Sequence, residues 1–121
     1  MRAANVPAGL ALRLERLTGE GAKGCLPEYR QLLREVRTDR RFRPSLDRAR
    51  ALGDEHRLAI VAMLRRRREP CACEIQAALG VTHATVSHHM AVLEAAGLVE
   101  SRRDGRWMYY RVTRPVGVDV P

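Results

Sequence analysis

Aromatic side chains are nearly missing: one Trp, one Phe and three Tyr, 4% of 121 residues. Leu, Ile, Val, Met and Ala must therefore build the core of what the length bounds to one small domain. Cysteine is scarce as well. Cys25, Cys71 and Cys73 are an odd number, which excludes a disulfide framework and points to a cytosolic chain with free thiols. No apolar run approaches a membrane span, and the N-terminal "NVPAGLALRLERL" is too short and too charged for a signal peptide. No paired carboxylates, nucleophile–base pair or phosphate cradle is present, so an enzyme is the weakest class. Acidic residues are the minority, 14 against 22 basic ones, for a formal charge of +8. Such a balance suits a polyanionic partner, although solubility alone would also explain it.

What is present reads in two parts. Residues 1–26 carry Pro7, Gly9, Gly19, Gly21 and Gly24, the composition of a flexible N-terminal arm ending at Cys25, with room for a short helix over Leu10–Leu17. Residues 27–121 form the ordered domain. Pro27 suits a first helical turn, and Tyr29, Leu32, Leu33 and Val36 recur at helical spacing until Pro44 breaks the helix. Ser45 and Asp54 are N-cap candidates on either side of an interruption at Gly53. The second of these helices closes on Arg65–Arg68, cations suited equally to a helix C-terminus and to phosphate. "CEIQAALG" is a short helix stopped by Gly80; Thr82 caps the longer "HATVSHHMAVLEAAG", ended by Gly97. "LVESRRDGRWMYYRV" is two strands around Asp104-Gly105, and the tail "TRPVGVDVP" is not a helix.

Short helix, glycine turn, longer helix, basic hairpin: that order is a winged helix-turn-helix, mainly α with a β-hairpin wing. Val86, Met90 and Leu93 give the second helix its inward stripe. Thr82, His83, Thr85, Ser87, His88 and His89 are left for the other faces, where short hydroxyls and imidazoles reach base edges or phosphates. The helix holds no Lys or Arg. Arg102, Arg103 and Arg106 on the hairpin supply cations for the DNA backbone or minor groove, a reading that outweighs a merely solvated turn beside this pattern. Neighbours such as His88 and His89 face about 100° apart on a helix and cannot chelate one ion together, which favours hydrogen bonding to DNA over metal ligation.

"REPCACEIQAALGV" sets two cysteines one residue apart. Ala72, Ile75 and Leu79 form the core stripe of the following helix, and both cysteines fall off it. Within a helix, side chains two residues apart diverge by about 200°. In an extended segment they point the same way, roughly 7 Å apart at Cα. Pro70 and a helix start near Ala72 keep Cys71 outside regular helix, so both sulfurs converge on one ion. A helix N-terminus lowers a thiol pKa and favours the thiolate. A disulfide between them would close a strained small loop. The pair reads as a ligand site for a soft, thiophilic ion.

Three stretches, "ALGDEHRLAIVAML", "EIQAALGVTHATVSHHMAVLEAAGLV" and "RRDGRWMYYRV", resemble the arsenic-repressor (ArsR/SmtB) family of metal-sensing repressors, over roughly Ser45 to Val112. The resemblance implies a cytoplasmic homodimer that binds double-stranded operator DNA, with no membrane partner, and is released by an inducer ion not required for folding. "EPCACEIQ" is similar to the Cys-x-Cys segment of the arsenic- and lead/cadmium-sensing members. Where the arsenic prototype has a third cysteine, this chain has Gln76, which leaves Cys25 as the third thiol, from its own or the partner subunit. Three sulfurs suit arsenite or antimonite, two a methylated trivalent arsenical, and three with an oxygen suit lead or cadmium. The tail lacks the helix and histidines of the family's zinc or nickel site. Dimerisation then moves to Tyr29, Leu32, Leu33 and Val36. Two other readings stay open: a thiol redox or persulfide sensor, and a zinc-stabilised protein-interaction module.

Overall fold

Pro7 precedes a run of Ala, Leu and Arg that forms the first helix, α1 at Ala8–Thr18, stopped by Gly19 at φ 75°. The structure, a computed structural model, describes residues 6–19, 21–66, 69–113 and 120–121, with the backbone alone at Thr18 and residues 21–25. The chain forms two compact units, Met1–Phe42 and Arg43–Pro121.

In the first unit, α2 spans Gly21–Thr38 and packs against α1. The helix expected to start at Pro27 therefore starts at Gly21, with Pro27 inside it. Once a helix has nucleated, each added residue gains a hydrogen bond, so the Leu-, Glu- and Arg-rich stretch can extend backwards through the glycines. The arm expected over residues 1–26 is helical at Ala8–Thr18 and again from Gly21, and Cys25 lies on helical backbone. Tyr29, Leu32, Leu33 and Val36 share one face of α2 and are 48–60% exposed in the single chain.

Helix α3 spans Phe42–Leu52. It starts ahead of Ser45, the expected cap, and Pro44 lies in its first turn instead of ending a helix. A first turn has no use for the N–H that proline lacks, so the residue initiates as readily as it terminates. Gly53 then turns the chain, and the carboxylate of Asp54 accepts the N–H of Arg57 at 3.0 Å, capping α4 at Glu55–Arg66. Arg65 and Arg66 form its last turn; Arg67 and Arg68, like residues 114–119 of the tail, lie outside the described residues.

Helix α5 (Ala72–Leu79) ends on Gly80 at φ 68°, a left-handed conformation that glycine adopts without strain. Helix α6 (His83–Ala95) follows after a short turn, and Gly97 lies just past its end at φ 74°. Strands β1 (Val99–Asp104) and β2 (Trp107–Val112) pair antiparallel with Asp104 opposite Trp107. The turn residues are thus Gly105 and Arg106, one step beyond the expected Asp104-Gly105.

The second unit's core sits where α4, α5, α6 and the start of β1 meet: Ile60, Ile75, Met90, Leu93 and Leu98 are each at most 1% exposed. Full burial of such a side chain contributes about 1.5–3 kcal/mol. The inward stripe expected of Val86, Met90 and Leu93 is the one observed. Among the described residues no helix is long and apolar enough to cross a membrane.

Candidate thiol site and nucleic-acid interface

Cys71 is the N-cap of α5, in extended conformation at φ −79° and ψ 161°, and Cys73 lies in the first turn. The extended residue followed by helix turns the side chains together: the two Sγ atoms are 2.8 Å apart. Both are free thiols, Cys71 buried and Cys73 exposed. The burial of Cys71 corrects the expectation that both would lie off the core. Ile75 alone of that stripe is fully buried, with Ala72 and Leu79 half-buried.

The expected thiol acidification is also corrected at Cys71. Its pKa is raised, first because it shares a hydrogen bond with Cys73 and then because it is buried. A second sulfur at this range and a low-dielectric wall outweigh the helix N-terminus. Proton loss must therefore accompany capture of a thiophile. Among the described residues no group of three or more His, Cys, Asp or Glu side chains could hold a metal ion, so the two sulfurs are the donors on offer. The side chain of Cys25 lies outside the described residues.

The segment before α5 is stitched to the hairpin. Cys71 forms an isolated antiparallel bridge with Tyr109, and Tyr110 donates its N–H to the carbonyl of Pro70 at 3.1 Å. Glu74 closes a capping box by accepting the N–H of Cys71 at 3.0 Å. None of these ties is local in sequence except the last, and periodicity gave no sign of them.

At the second helix N-terminus, Thr82 accepts the N–H of Thr85 at 3.2 Å, and their hydroxyls are 2.9 Å apart. Thr82, His83, Ser87 and His88 are exposed, and Thr85 is half-buried. His89 is corrected: it is 8% exposed and faces inward. Val86, His89, Met90 and Leu93 follow i, i+3, i+4, i+7, the signature of a buried face, so the signal was in the sequence. Its Nδ1 lies 3.2 Å from a guanidinium nitrogen of Arg57. Arg57 also donates to the carbonyl of Ala51 at 2.7 Å, so it joins the end of α3, the start of α4 and α6. Burial lowers the pKa of His89, partly opposed by the Asp54 carboxylate.

The wing arginines do not share one face of the hairpin. Side chains alternate along a strand, so Arg102 and Arg103 point to opposite faces. Ser101 and Arg103 share a face, and Ser101 donates to Glu94 of α6 at 2.8 Å. Arg102, on the other face, donates to Glu69 at 2.9 Å and stacks over Tyr109, 4.8 Å from the ring centre. Arg102, Arg103 and Arg106 are all exposed, and Arg106 lies 5.8 Å from the ring centre of Trp107.

A family model described as bacterial regulatory protein, arsR family, matches residues 54–101, from the cap of α4 into β1. The arsenical resistance operon repressor of Escherichia coli strain K12 is 39% identical over 62 residues, 51% of this chain and 53% of that protein. The cadmium resistance transcriptional regulatory protein CadC of Listeria innocua is 42% identical over 59 residues, 49% of this chain and 50% of that one. The chain spans about half the length of these curated relatives. A solved homodimeric winged helix-turn-helix DNA-binding domain from Mycobacterium bovis, described as a possible ArsR-family transcriptional regulator, aligns with a TM-score of 0.58 at 32% identity, covering 63% of this chain and 69% of that one. The observed fold is the winged helix-turn-helix read from the sequence, and the chain belongs to the ArsR family of regulatory proteins.

Proposed function

We propose that this protein is a transcriptional repressor that binds double-stranded operator DNA as a homodimer and is released when trivalent arsenic or antimony binds Cys71 and Cys73. The observation that carries the reading is the pair of sulfurs 2.8 Å apart at the head of α5, one glycine turn from the recognition helix α6. Soft donors at that spacing select thiophilic ions. Relatives named for arsenical and for cadmium resistance support a metal-responsive regulator, and keep lead and cadmium as alternative inducers. Exposed His83, Ser87 and His88 on α6, with Arg103 and Arg106 on the wing, supply the DNA contacts. The open apolar face of α2 supplies the dimer contact, because a palindromic site needs two recognition helices about 34 Å apart. The candidate third sulfur is Cys25, from its own or the partner subunit.

The test is a gel shift on the chain's own upstream DNA titrated with each ion. Cys71→Ser and Cys73→Ser should each bind operator as the native protein does and lose release by arsenite, a coupling of about 1–3 kcal/mol or roughly five- to 150-fold in affinity. Loss of release in Cys25→Ser would place three sulfurs on the ion. Release of Cys71→Ser at the native arsenite concentration sinks the reading.

The second reading is a thiol redox or persulfide sensor that pairs Cys71 with another cysteine. A peroxide would take two electrons and two protons from the pair, giving a disulfide and water. Release by peroxide with no response to arsenite would establish that reading instead.

A further inference from the structure

The geometry points to Arg102 as a positioning residue rather than a DNA contact: paired with Glu69, it straps the wing to the thiol segment, so that capture of a thiophile by Cys71 and Cys73 is delivered to the wing. This rests on the thiol pair being the sensor.

Three ties join residues 69–71 to the hairpin. The Arg102–Glu69 ion pair spans 2.9 Å, the Pro70 carbonyl takes the N–H of Tyr110 at 3.1 Å, and Cys71 bridges Tyr109. Arg102 lies over the ring of Tyr109, the residue directly opposite it in the strand register. Its guanidinium is thus engaged by a carboxylate and an aromatic face, where a phosphate would have to displace both. A cleft of about 260 Å³, lined by Glu69, Arg102, Tyr109 and Arg111 among others, gives the strap room to part.

The thiol pair can load this connection. Capture replaces the hydrogen bond shared by the two thiols with bonds to the ion, which resets how the two side chains meet. Cys73 lies in regular helix, which resists distortion. Cys71 is outside it, in a segment begun by Glu69 at φ 42°, the one non-glycine residue with positive φ among those described. The softer side moves, and its backbone is the one bonded to β2. The wing is therefore the nearest mechanical output of the site, closer in bonded steps than α6 reached through α5 and Gly80.

Trp107, the chain's single tryptophan, stands at the start of β2 and is 49% exposed, so its emission reports the wing. Arsenite is titrated into the full chain, with thiolate–arsenic absorbance reading occupancy and Trp107 emission reading the wing. In the native protein both should move with one midpoint. In Glu69→Gln the absorbance should titrate as before, while the emission change shrinks at least twofold and release from operator needs several times more arsenite. Arg102→Gln should leave the dependence of log K on log salt unchanged, whereas Arg103→Gln lowers its slope by about 0.9. Native absorbance that titrates while Trp107 stays silent overturns the proposal and leaves the thiol sensor standing. So does an Arg102→Gln slope lowered like that of Arg103→Gln. Absorbance that never titrates in the native protein removes the sensor reading, and this proposal with it.

Discussion

Helices α5 and α6 leave their caps in nearly the same backbone conformation, Cys71 at φ −79°, ψ 161° and Thr82 at φ −72°, ψ 158°. Their surroundings differ. Cys71 is buried, its N–H held by Glu74 and its backbone paired with Tyr109 of the wing. Thr82 is exposed, and the bond it accepts comes from three residues along its own helix. One local device therefore stands in two settings: the start of α5 is tied to a strand far along the chain, and the start of α6 is held by its own first turn. The meaning of a cap lies in what the cap residue is fastened to.

The largest expected effect removes the packing that both helix starts share. Ile75 is 0% exposed on α5, within the same core cluster as Val86, Met90 and Leu93 of α6. Ile75→Ala should cost about 2–5 kcal/mol by transfer and cavity terms together, read from the urea midpoint. Operator binding and arsenite response should weaken together, since the contact supports both ends of the motif. A loss below about 1 kcal/mol would show that α5 is held by its ties to the wing and not by its buried face.

Replacing each cap partner separates the two helix starts. Glu74→Ala leaves the part-buried N–H of Cys71 without its acceptor, at a cost of about 1–3 kcal/mol. Thr82→Ala removes an exposed cap bond, worth about 1 kcal/mol. The first change should also alter the arsenite midpoint; the second should alter operator affinity alone. Equal stability losses in denaturant would mean that burial adds nothing to the Cys71 cap.

The legible parts of this molecule were those that depend on near neighbours. Asp54, Thr82, Gly80 and Gly97 each mark a helix end by side-chain or backbone chemistry confined to one turn, and each stands where it was expected. Pro44 misled because proline suits a helix start as well as a helix stop, and the sequence around it favours both. Arg102 and Arg103 were read as one cluster, although strand alternation already separates them. The convergence of the two sulfurs followed from Pro70 and the helix start. The ties of Glu69, Pro70 and Cys71 to the wing span more than 30 residues of chain, and no local pattern encodes them. The expected acidification failed at Cys71 first because of its hydrogen bond with Cys73 and then because of its burial.

The smallest expected effect sharpens the comparison within α6, between exposed His88 and buried His89. A guanidinium only donates, so the Nδ1 facing Arg57 must carry a lone pair, and His89 is neutral with its proton on Nε2. Protonating Nδ1 would set one donor against another. The charged groups nearby do not remove the conflict: Asp54, 4.0 Å away, favours the cation, while Arg57, His56 and His88 oppose it, and burial is the largest cause of the lowered pKa. In the unfolded chain the imidazole titrates near its ordinary 6.5. Between the lowered folded value and 6.5 the unfolded state binds the extra proton, so stability holds above that range and falls as pH drops through it. The slope for one such group cannot exceed about 1.4 kcal/mol per pH unit. Urea midpoints at about pH 7.5 and about pH 5.5 test this against His89→Gln, whose carbonyl oxygen can accept from Arg57 without titrating. The native protein should lose more stability than the variant between these pH values. Equal losses would show that His89 takes up its proton at no cost to the fold. At the higher pH, His89→Gln should leave operator preference unchanged while His88→Ala alters it, because only the outward ring of the two can meet a base edge.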